Sequence, residues 1–235
     1  TKGKILVADM SSDILSQPVN VSDYGMIYFG VQKNVGPAGV VIAIIREDLI
    51  RDDVNPATPT MLKYKTQADN DSLYNTPPCY GIYVCGLVFK WVKEMGGLAA
   101  MKVHNEKKAA IEQLRNAISD DLGLKTRPKV RYYYNSGDDA GYGYYNERNN
   151  TININEYYFD NGINPGKEML DTVAHELRHA SQYANLGADS VSQSYIHYVE
   201  YDPGLGNWSD YFNQPCEVDA RNYANLWTDM LKGMF

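Results

Sequence analysis

The sequence has few cysteines, no long apolar run and no excess of positive charge. Its three cysteines are an odd number without a CxxC pair, which argues against a disulfide framework and against a cysteine-built zinc cluster. No apolar run approaches the ~20 residues that a membrane span requires. The net charge is −7, whereas a protein that binds nucleic acid normally has a basic surface. We therefore expect a cytoplasmic protein with neither a membrane nor a nucleic acid as its partner.

Charge is distributed unevenly along the chain, and the change comes near residue 105. Residues 1–105 carry ten basic and ten acidic side chains, whereas residues 106–235 carry twelve basic and nineteen acidic ones. Tyrosine follows the same division, with six of the twenty tyrosines in the first part and fourteen in the second. Two different compositions predict two domains, residues 1–105 and residues 106–235.

The first part alternates short apolar runs with polar or glycine punctuation. Residues 4–9, 26–30 and 40–46 have the length and composition of buried strands. Residues 80–95 space their apolar side chains at helical intervals and stop at Gly96-Gly97, which predicts one long helix with a glycine cap. The first part therefore reads as an α/β segment.

The second part reads as a helix, a small sheet and two further helices. Residues 106–122 have helical spacing, and residues 151–155 alternate in the manner of a strand. Asn164-Pro165 supplies an N-cap and an N1 proline for the next helix. A last helix is predicted to begin near Pro215. This order of elements is that of an α+β domain.

One of these helices carries a motif with metal-site spacing, His175-Glu176-Leu177-Arg178-His179. Two histidines four residues apart on a helix lie on the same face, so both imidazoles can reach one zinc ion. Glu176 would then lie beside a zinc-bound water and act as its general base. The alternative is that both histidines are solvated surface residues.

A catalytic zinc ion usually takes three protein ligands, so a third ligand is expected downstream. We predict Glu217, because it lies in the first turn of a helix expected to pack beside the first. Asp219, Asp210 and His197 are the competing assignments. Asp219 and Asp171 are also candidates to orient a histidine by accepting a hydrogen bond from the ring nitrogen that does not bind zinc.

The two motifs at residues 175–180 and 215–220 resemble small gluzincin-type zinc metallopeptidases. The resemblance covers residues 106–235 and implies hydrolysis of a peptide or protein substrate by a zinc-activated water. It also implies that residues 151–155 form an edge strand that binds extended peptide. Oxyanion stabilisers would come from a nearby group of side chains, Tyr195, His197, Tyr198 and Tyr201. A zincin-like module that binds without catalysis is the alternative.

The first part resembles the phosphoserine aminotransferase family, which are fold-type-I enzymes that use pyridoxal phosphate. The resemblance runs from residue 5 to residue 101 and is carried by three motifs, residues 8–16, 30–39 and 70–78. It implies that Lys33 forms the Schiff base with the cofactor, that Asp9 pairs with the pyridine nitrogen and that Gln32 lies by the cofactor. Asn75 and Thr76 match residues that contact the phosphate of the partner subunit's cofactor.

The family's enzymes are about three times as long as this segment, so much of the cofactor pocket would have to come from elsewhere. Lys33 is then either a non-catalytic remnant or a catalytic lysine whose pocket is completed by another chain. A homo-oligomer or a complementing chain would also cover the open strand edges.

We predict an α+β chain, with a zincin-like metallopeptidase domain in which the active-site helix packs on a small sheet. A partial α/β aminotransferase large-domain segment precedes it. The predicted function is zinc peptidase, with pyridoxal-phosphate-dependent phosphoserine aminotransferase as the alternative.

Overall fold

The chain divides into two compact units, Thr1–Glu106 and Lys107–Phe235. The structure is a computed structural model that describes residues 3–137, 140–162, 164–194 and 212–231. The division falls one residue from the boundary expected from composition. Among the described residues no helix is long and apolar enough to cross a membrane.

The first unit contains one sheet with short helices and one long helix. Its strands are β1 (Val7–Asp9), β2 (Met26–Gly30) and β3 (Val41–Ile45), and its α-helices are α1 (Tyr64–Ala68) and α2 (Cys79–Glu94). Three 3-10 helices, Val21–Asp23, Glu47–Leu49 and Thr60–Leu62, lie in the connections. A third helix, α3 (Gly97–Asp121), begins in this unit and continues into the second.

The sheet of the first unit has the order β1-β2-β3, with β1 parallel and β3 antiparallel to β2. Only β2 is a buried strand: Ile27 and Phe29 lie in a small core with Met10, Val31 and Val35. The two outer strands expose large apolar side chains, with Val7 53% and Val41 70% exposed. The prediction of buried strands is therefore wrong for β1 and β3, because only Ala8 and Ile42 of these strands pack against that core and their other apolar side chains are largely exposed.

Helix α3 begins earlier than its spacing predicted. The expected start was residue 106, whereas the helix starts at Gly97. Gly96 and Gly97 both have positive φ, 96° and 76°, a conformation that favours glycine. The pair turns the chain after α2, as predicted, and the next helix follows without a loop.

The second unit combines a three-stranded sheet with helices. Its elements are β4 (Lys129–Tyr133), β5 (Gly143–Asn146), β6 (Thr151–Asn155), α4 (Tyr158–Asn161), α5 (Pro165–Leu186), α6 (Ala188–Ser194) and α7 (Pro215–Met230). Helix α5 begins as predicted, with Asn164 Oδ1 accepting a hydrogen bond from the Lys167 amide and Pro165 at the first position. It ends at Gly187, whose φ is 81°.

Strand β6 lies at the centre of this sheet, not at its edge. The order is β4-β6-β5, with β4 parallel and β5 antiparallel to β6. The predicted edge strand at residues 151–155 is therefore wrong, since both of its backbone edges are already paired and cannot accept an added peptide strand. Alternation within one strand indicates which side chains are buried but not which neighbours the strand has.

Helix α5 is buried on more than one face. Leu170, Val173 and Leu177 are fully buried in a core that includes Ile152 and Ile154 of β6. Another part of the helix surface packs against α7, and buried polar residues meet there. They are His179 and Gln182 of α5 and Glu217 of α7. The face that a simple amphipathic pattern assigns to solvent is thus an interface between two helices of the same unit.

Candidate functional site

Asp9 lies at the carboxyl end of β1 and is held by the next turn. Its Oδ1 accepts hydrogen bonds from the Ser11 amide at 2.9 Å and from Ser11 Oγ at 2.6 Å. These bonds, with a smaller contribution from the charge of Lys33, hold the pKa of the Asp9 carboxyl below its usual value. Ser11 Oγ in turn accepts from the Gly30 amide at 3.0 Å. Asp9 is therefore an ionised carboxylate with a restrained orientation.

Lys33 lies in the loop after β2, the strand that runs parallel to β1. Its Nζ donates to Ser12 Oγ at 2.8 Å. Gln32 folds back over Gly30, where any side chain would collide with its amide group. The ends of parallel strands meet at one edge of a sheet, which is where α/β proteins place their ligands. Asp9, Gln32 and Lys33 are thus brought to one exposed edge, and their roles toward a cofactor stay predictions.

Asn75 and Thr76 make no hydrogen bond to Asp9, Gln32 or Lys33 among the described residues. They lie in the exposed segment before α2, where Asn75 Nδ2 donates to the Thr76 carbonyl at 3.4 Å. Asn75 lines an open cleft of about 520 Å³ with Tyr64 and Ile82 among its walls. Val41, which pairs with Gly30 at the carboxyl end of β2, also lines this cleft.

A second cluster lies between α5 and α7, where His175, His179 and Glu217 place their ligand atoms together. The two Nε2 atoms are 3.0 Å apart. Glu217 Oε2 lies 3.2 Å from His175 Nε2, and Glu217 Oε1 lies 3.4 Å from His179 Nε2. The side chains of Glu217 and His179 are 3% and 9% exposed, and that of His175 is 18% exposed. Helical spacing predicted the histidine pair, and α7 brings Glu217 to it.

Glu176 is buried beside this cluster. Burial raises the pKa of its carboxyl, while the two histidines and a hydrogen bond from the Tyr145 backbone act in the opposite direction. For His179, burial alone would lower the pKa. The hydrogen bond with Glu217 and the charges of Glu176 and Glu217 together outweigh that effect, so its pKa is raised. The role of Glu176 as a general base stays a prediction.

Gln182 completes the cluster and was missed by the sequence analysis. Its Oε1 lies 2.8 Å from His179 Nδ1, and its Nε2 donates to the Cys216 carbonyl and to Asp219 Oδ2. Asp219 was expected behind a histidine, but it accepts from Arg178 Nε at 2.7 Å instead. Gln182 follows His179 by three residues, so helical spacing alone could have placed the two on one face.

Asp171 is half-buried, and burial raises the pKa of its carboxyl, with His175 as an electrostatic neighbour. Several predicted alternatives lie outside the described residues. These are the competing ligands Asp210 and His197, and the oxyanion candidates Tyr195, His197, Tyr198 and Tyr201.

Comparison with known proteins points to the first unit's site. The family model described as aminotransferase class-V matches residues 1–131, which is more than half of the chain. The match continues thirty residues past Met101, where the predicted resemblance ended. It therefore passes the boundary between the two units and includes all of α3.

The chain is similar to phosphoserine aminotransferases over different lengths. It is 50% identical to the enzyme of Pseudomonas fluorescens (strain SBW25) over 138 residues, which are 57% of this chain and 38% of that enzyme. It is 49% identical to the Pseudomonas aeruginosa PAO1 enzyme over 207 residues, which are 86% of this chain and 53% of that enzyme. The chain thus spans about half or less of these curated relatives.

A solved structure of a phosphoserine aminotransferase from Trichomonas vaginalis with pyridoxal phosphate bound is 39% identical to this chain. The matched region covers 49% of this chain and 32% of the Trichomonas vaginalis chain, and the TM-score is 0.46.

These findings overturn the predicted zincin-like metallopeptidase fold and the predicted zinc hydrolase activity. The family match and the relatives are those of a fold-type-I aminotransferase, and the similarity to the Pseudomonas aeruginosa enzyme extends over most of the chain. The physical reason for the error is that a five-residue motif on one helix predicts local ligand geometry. It does not specify the fold around that helix or the reaction.

Proposed function

Since this chain belongs to the class-V aminotransferase family, we propose that it carries the cofactor-lysine segment of a pyridoxal-phosphate-dependent phosphoserine aminotransferase. The enzyme would move an amino group between phosphoserine and 2-oxoglutarate. The observation that carries the proposal is the shared position of Asp9 and Lys33 at the carboxyl edge of the parallel pair β1 and β2.

The donor set at this edge fits pyridoxal phosphate. An ionised Asp9 can pair with a protonated ring nitrogen, and Ser11 leaves its second oxygen, Oδ2, free of the turn's hydrogen bonds. The primary amine of Lys33 donates a hydrogen bond to Ser12 Oγ. It is the group that would hold the cofactor through its aldehyde, with loss of water. When bound, the cofactor supplies an electron sink for the amino-acid substrate.

Asp9 sustains that chemistry by keeping the ring nitrogen protonated, and Lys33 can carry a proton to and from the substrate. Gln32 lies over Gly30 at the same edge, where its amide can contact the ring. Asn75 and Thr76, which make no hydrogen bond to Lys33 among the described residues, would contact the phosphate of a cofactor in a partner subunit.

Completion of the pocket by another chain is part of the proposal. Asp9 and Lys33 are exposed, whereas transamination requires a site that excludes water. The strands beside them present apolar side chains to solvent, among them Val7 and Val41. In the first unit as described, the outer edges of β1 and β3 have no strand partner and would pair readily with a complementing chain.

The covalent step can be tested directly. The purified chain is incubated with pyridoxal phosphate, reduced with borohydride and digested, and the labelled peptide is identified by mass spectrometry. We expect the label on Lys33, its complete loss in Lys33→Ala, and reduced labelling in Asp9→Asn. Lys63→Ala, which removes another lysine of the first unit, is the matched control and should label normally.

The test is then repeated with a full-length phosphoserine aminotransferase as a source of the missing parts. We expect mixed oligomers by size-exclusion chromatography, with stronger labelling of Lys33 in the mixture. Labelling spread evenly over surface lysines, with and without the second protein, would contradict the proposal.

A further inference from the structure

The geometry points to a binding site for a divalent transition-metal ion of the zinc class in the second unit, held by His175 Nε2, His179 Nε2 and Glu217. The residues belong to α5 and α7 alone, so the inference does not rest on the proposed aminotransferase function. It concerns binding, and the chemical class of its occupant is a metal ion that accepts imidazole and carboxylate ligands.

The distances between the three ligand groups match those around a four-coordinate ion. Ligands about 2.0–2.1 Å from a tetrahedral zinc ion lie roughly 3.3 Å from one another. The two Nε2 atoms are 3.0 Å apart, and they lie 3.2 Å and 3.4 Å from Oε2 and Oε1 of Glu217, respectively. Two helices therefore bring three ligand groups to about the spacing of one coordination sphere, with a fourth position left for water or a small ligand.

The cluster is buried as well as compact. The side chains of Glu217 and His179 are 3% and 9% exposed, and the guanidinium of Arg178 on α5 is engaged by Asp219. Two imidazoles and a carboxylate buried together form a ligand set that a divalent transition-metal ion accepts.

Gln182 holds His179 in the tautomer that leaves Nε2 able to bind a metal ion. The Cys216 carbonyl can only accept, so the amide nitrogen of Gln182 must face it, and the amide oxygen must face His179. His179 then carries its proton on Nδ1, which leaves the Nε2 lone pair directed at His175 and Glu217. We therefore assign Gln182 as a positioning residue for the site, tied to α7 by two hydrogen bonds.

The test uses the whole chain, stripped with a chelator and then titrated with Zn²⁺ alone against a competing colorimetric chelator. We expect one ion per chain. His175→Ala, His179→Ala and Glu217→Gln should each remove stoichiometric binding. Gln182→Ala should weaken the affinity by 10–100-fold, the effect typical of a residue that orients a ligand. His104→Ala removes a histidine from the first unit and should bind as the parent does.

Folding is checked by circular dichroism, and Glu217→Gln is the decisive variant because it keeps the size of the side chain. Failure of the parent chain to bind zinc at one equivalent would overturn the inference. Binding that survives in all three ligand variants would do the same, since the ion would then be held elsewhere, for example by cysteines. Parent-like affinity in Gln182→Ala would overturn the positioning role. Labelling of Lys33 by pyridoxal phosphate, measured on the same samples, should be unchanged in Glu217→Gln.

Discussion

The two units bury their candidate sites to very different extents. In the second unit the acidic residue of the site, Glu217, has a side chain only 3% exposed, because two helices of the same unit pack over it. In the first unit Asp9 and Lys33 are exposed at the end of a sheet whose outer strands present apolar side chains to solvent. The second unit builds its site from its own helices, whereas the first, under the proposed function, would need another chain to enclose a cofactor.

The strongest test of this comparison replaces the same residue type in the two sheets. Ile152 of β6 is fully buried, and Ile44 of β3 is 41% exposed. We expect Ile152→Ala to lower the free energy of unfolding of its unit by about 2–5 kcal/mol, since it leaves a cavity. Ile44→Ala should cost only about 0.5 kcal/mol. Urea unfolding followed by circular dichroism measures both.

Equal losses in the two variants would show that β3 is already covered in solution, for instance by a second copy of the chain. Repeating the measurement with the complementing aminotransferase sharpens the contrast further. If that protein docks on the first unit's sheet, Ile44→Ala should become more costly and Ile152→Ala should not change.

A smaller loss of unfolding free energy is expected when the ion pair between Asp219 of α7 and Arg178 of α5 is removed. The Arg178 hydrogen bond holds the pKa of Asp219 below its usual value, so the folded state favours the ionised carboxyl. This stability is present above the unfolded pKa of about 3.9 and is lost as the pH falls through the lower, folded pKa. Because Asp219 is partly exposed, Asp219→Asn should cost about 1 kcal/mol at pH 7.

The difference in unfolding free energy between Asp219→Asn and the parent should shrink toward zero in acid titrations once the pH falls below the lowered pKa of Asp219. Asp69→Asn, which breaks the solvent-exposed pair with Lys65 in the first unit, is the matched control and should be indistinguishable from the parent. A penalty for Asp219→Asn that does not depend on pH would mean that the hydrogen bonds, and not the charge, stabilise this interface.

The smallest difference in stability between the two units is expected from substitutions at two helix N-caps of similar geometry. Asn164 caps α5 and Asn20 caps the short 3-10 helix Val21–Asp23, each accepting from an amide at 3.4 Å. Asn164→Ala should cost about 0.5–1 kcal/mol, because a buried helix of 22 residues depends on its first turn. Asn20→Ala should have no measurable effect on thermal unfolding. The reverse order would indicate that the first unit is the more tightly packed of the two.

Local features of the fold could be predicted from the sequence, and pairings between distant segments could not. Asn164-Pro165 predicted the start of α5, and Gly96-Gly97 predicted the turn after α2, because both depend on neighbouring residues alone. The central position of β6 depends on which strands find it, and β4 is separated from it by the whole of β5. The alternation of residues 151–155 carries no information on that choice.

The same distinction applies to the sites. Helical spacing predicted that His175 and His179 share a face, and Asp9 and Lys33 followed from motifs that the family match supports. Gln182 was missed although it lies on the same helix face, because its partners on α7 are 34 and 37 residues away in the sequence. The motif with the most specific chemistry was also the one that misled the fold prediction, since it describes only one turn of a helix.

The order of α5 and α7 along the chain has a consequence during synthesis. Helix α7 ends 44 residues after α5, at Met230 against Leu186, and a ribosome adds about 5–20 residues per second. For a period on the order of seconds, the nascent α5 therefore presents Glu176, His179 and Gln182 without the helix that later covers them. Until then that face is open to solvent, to chaperones and to any metal ion in the surroundings, so metal loading could precede the final docking of α7.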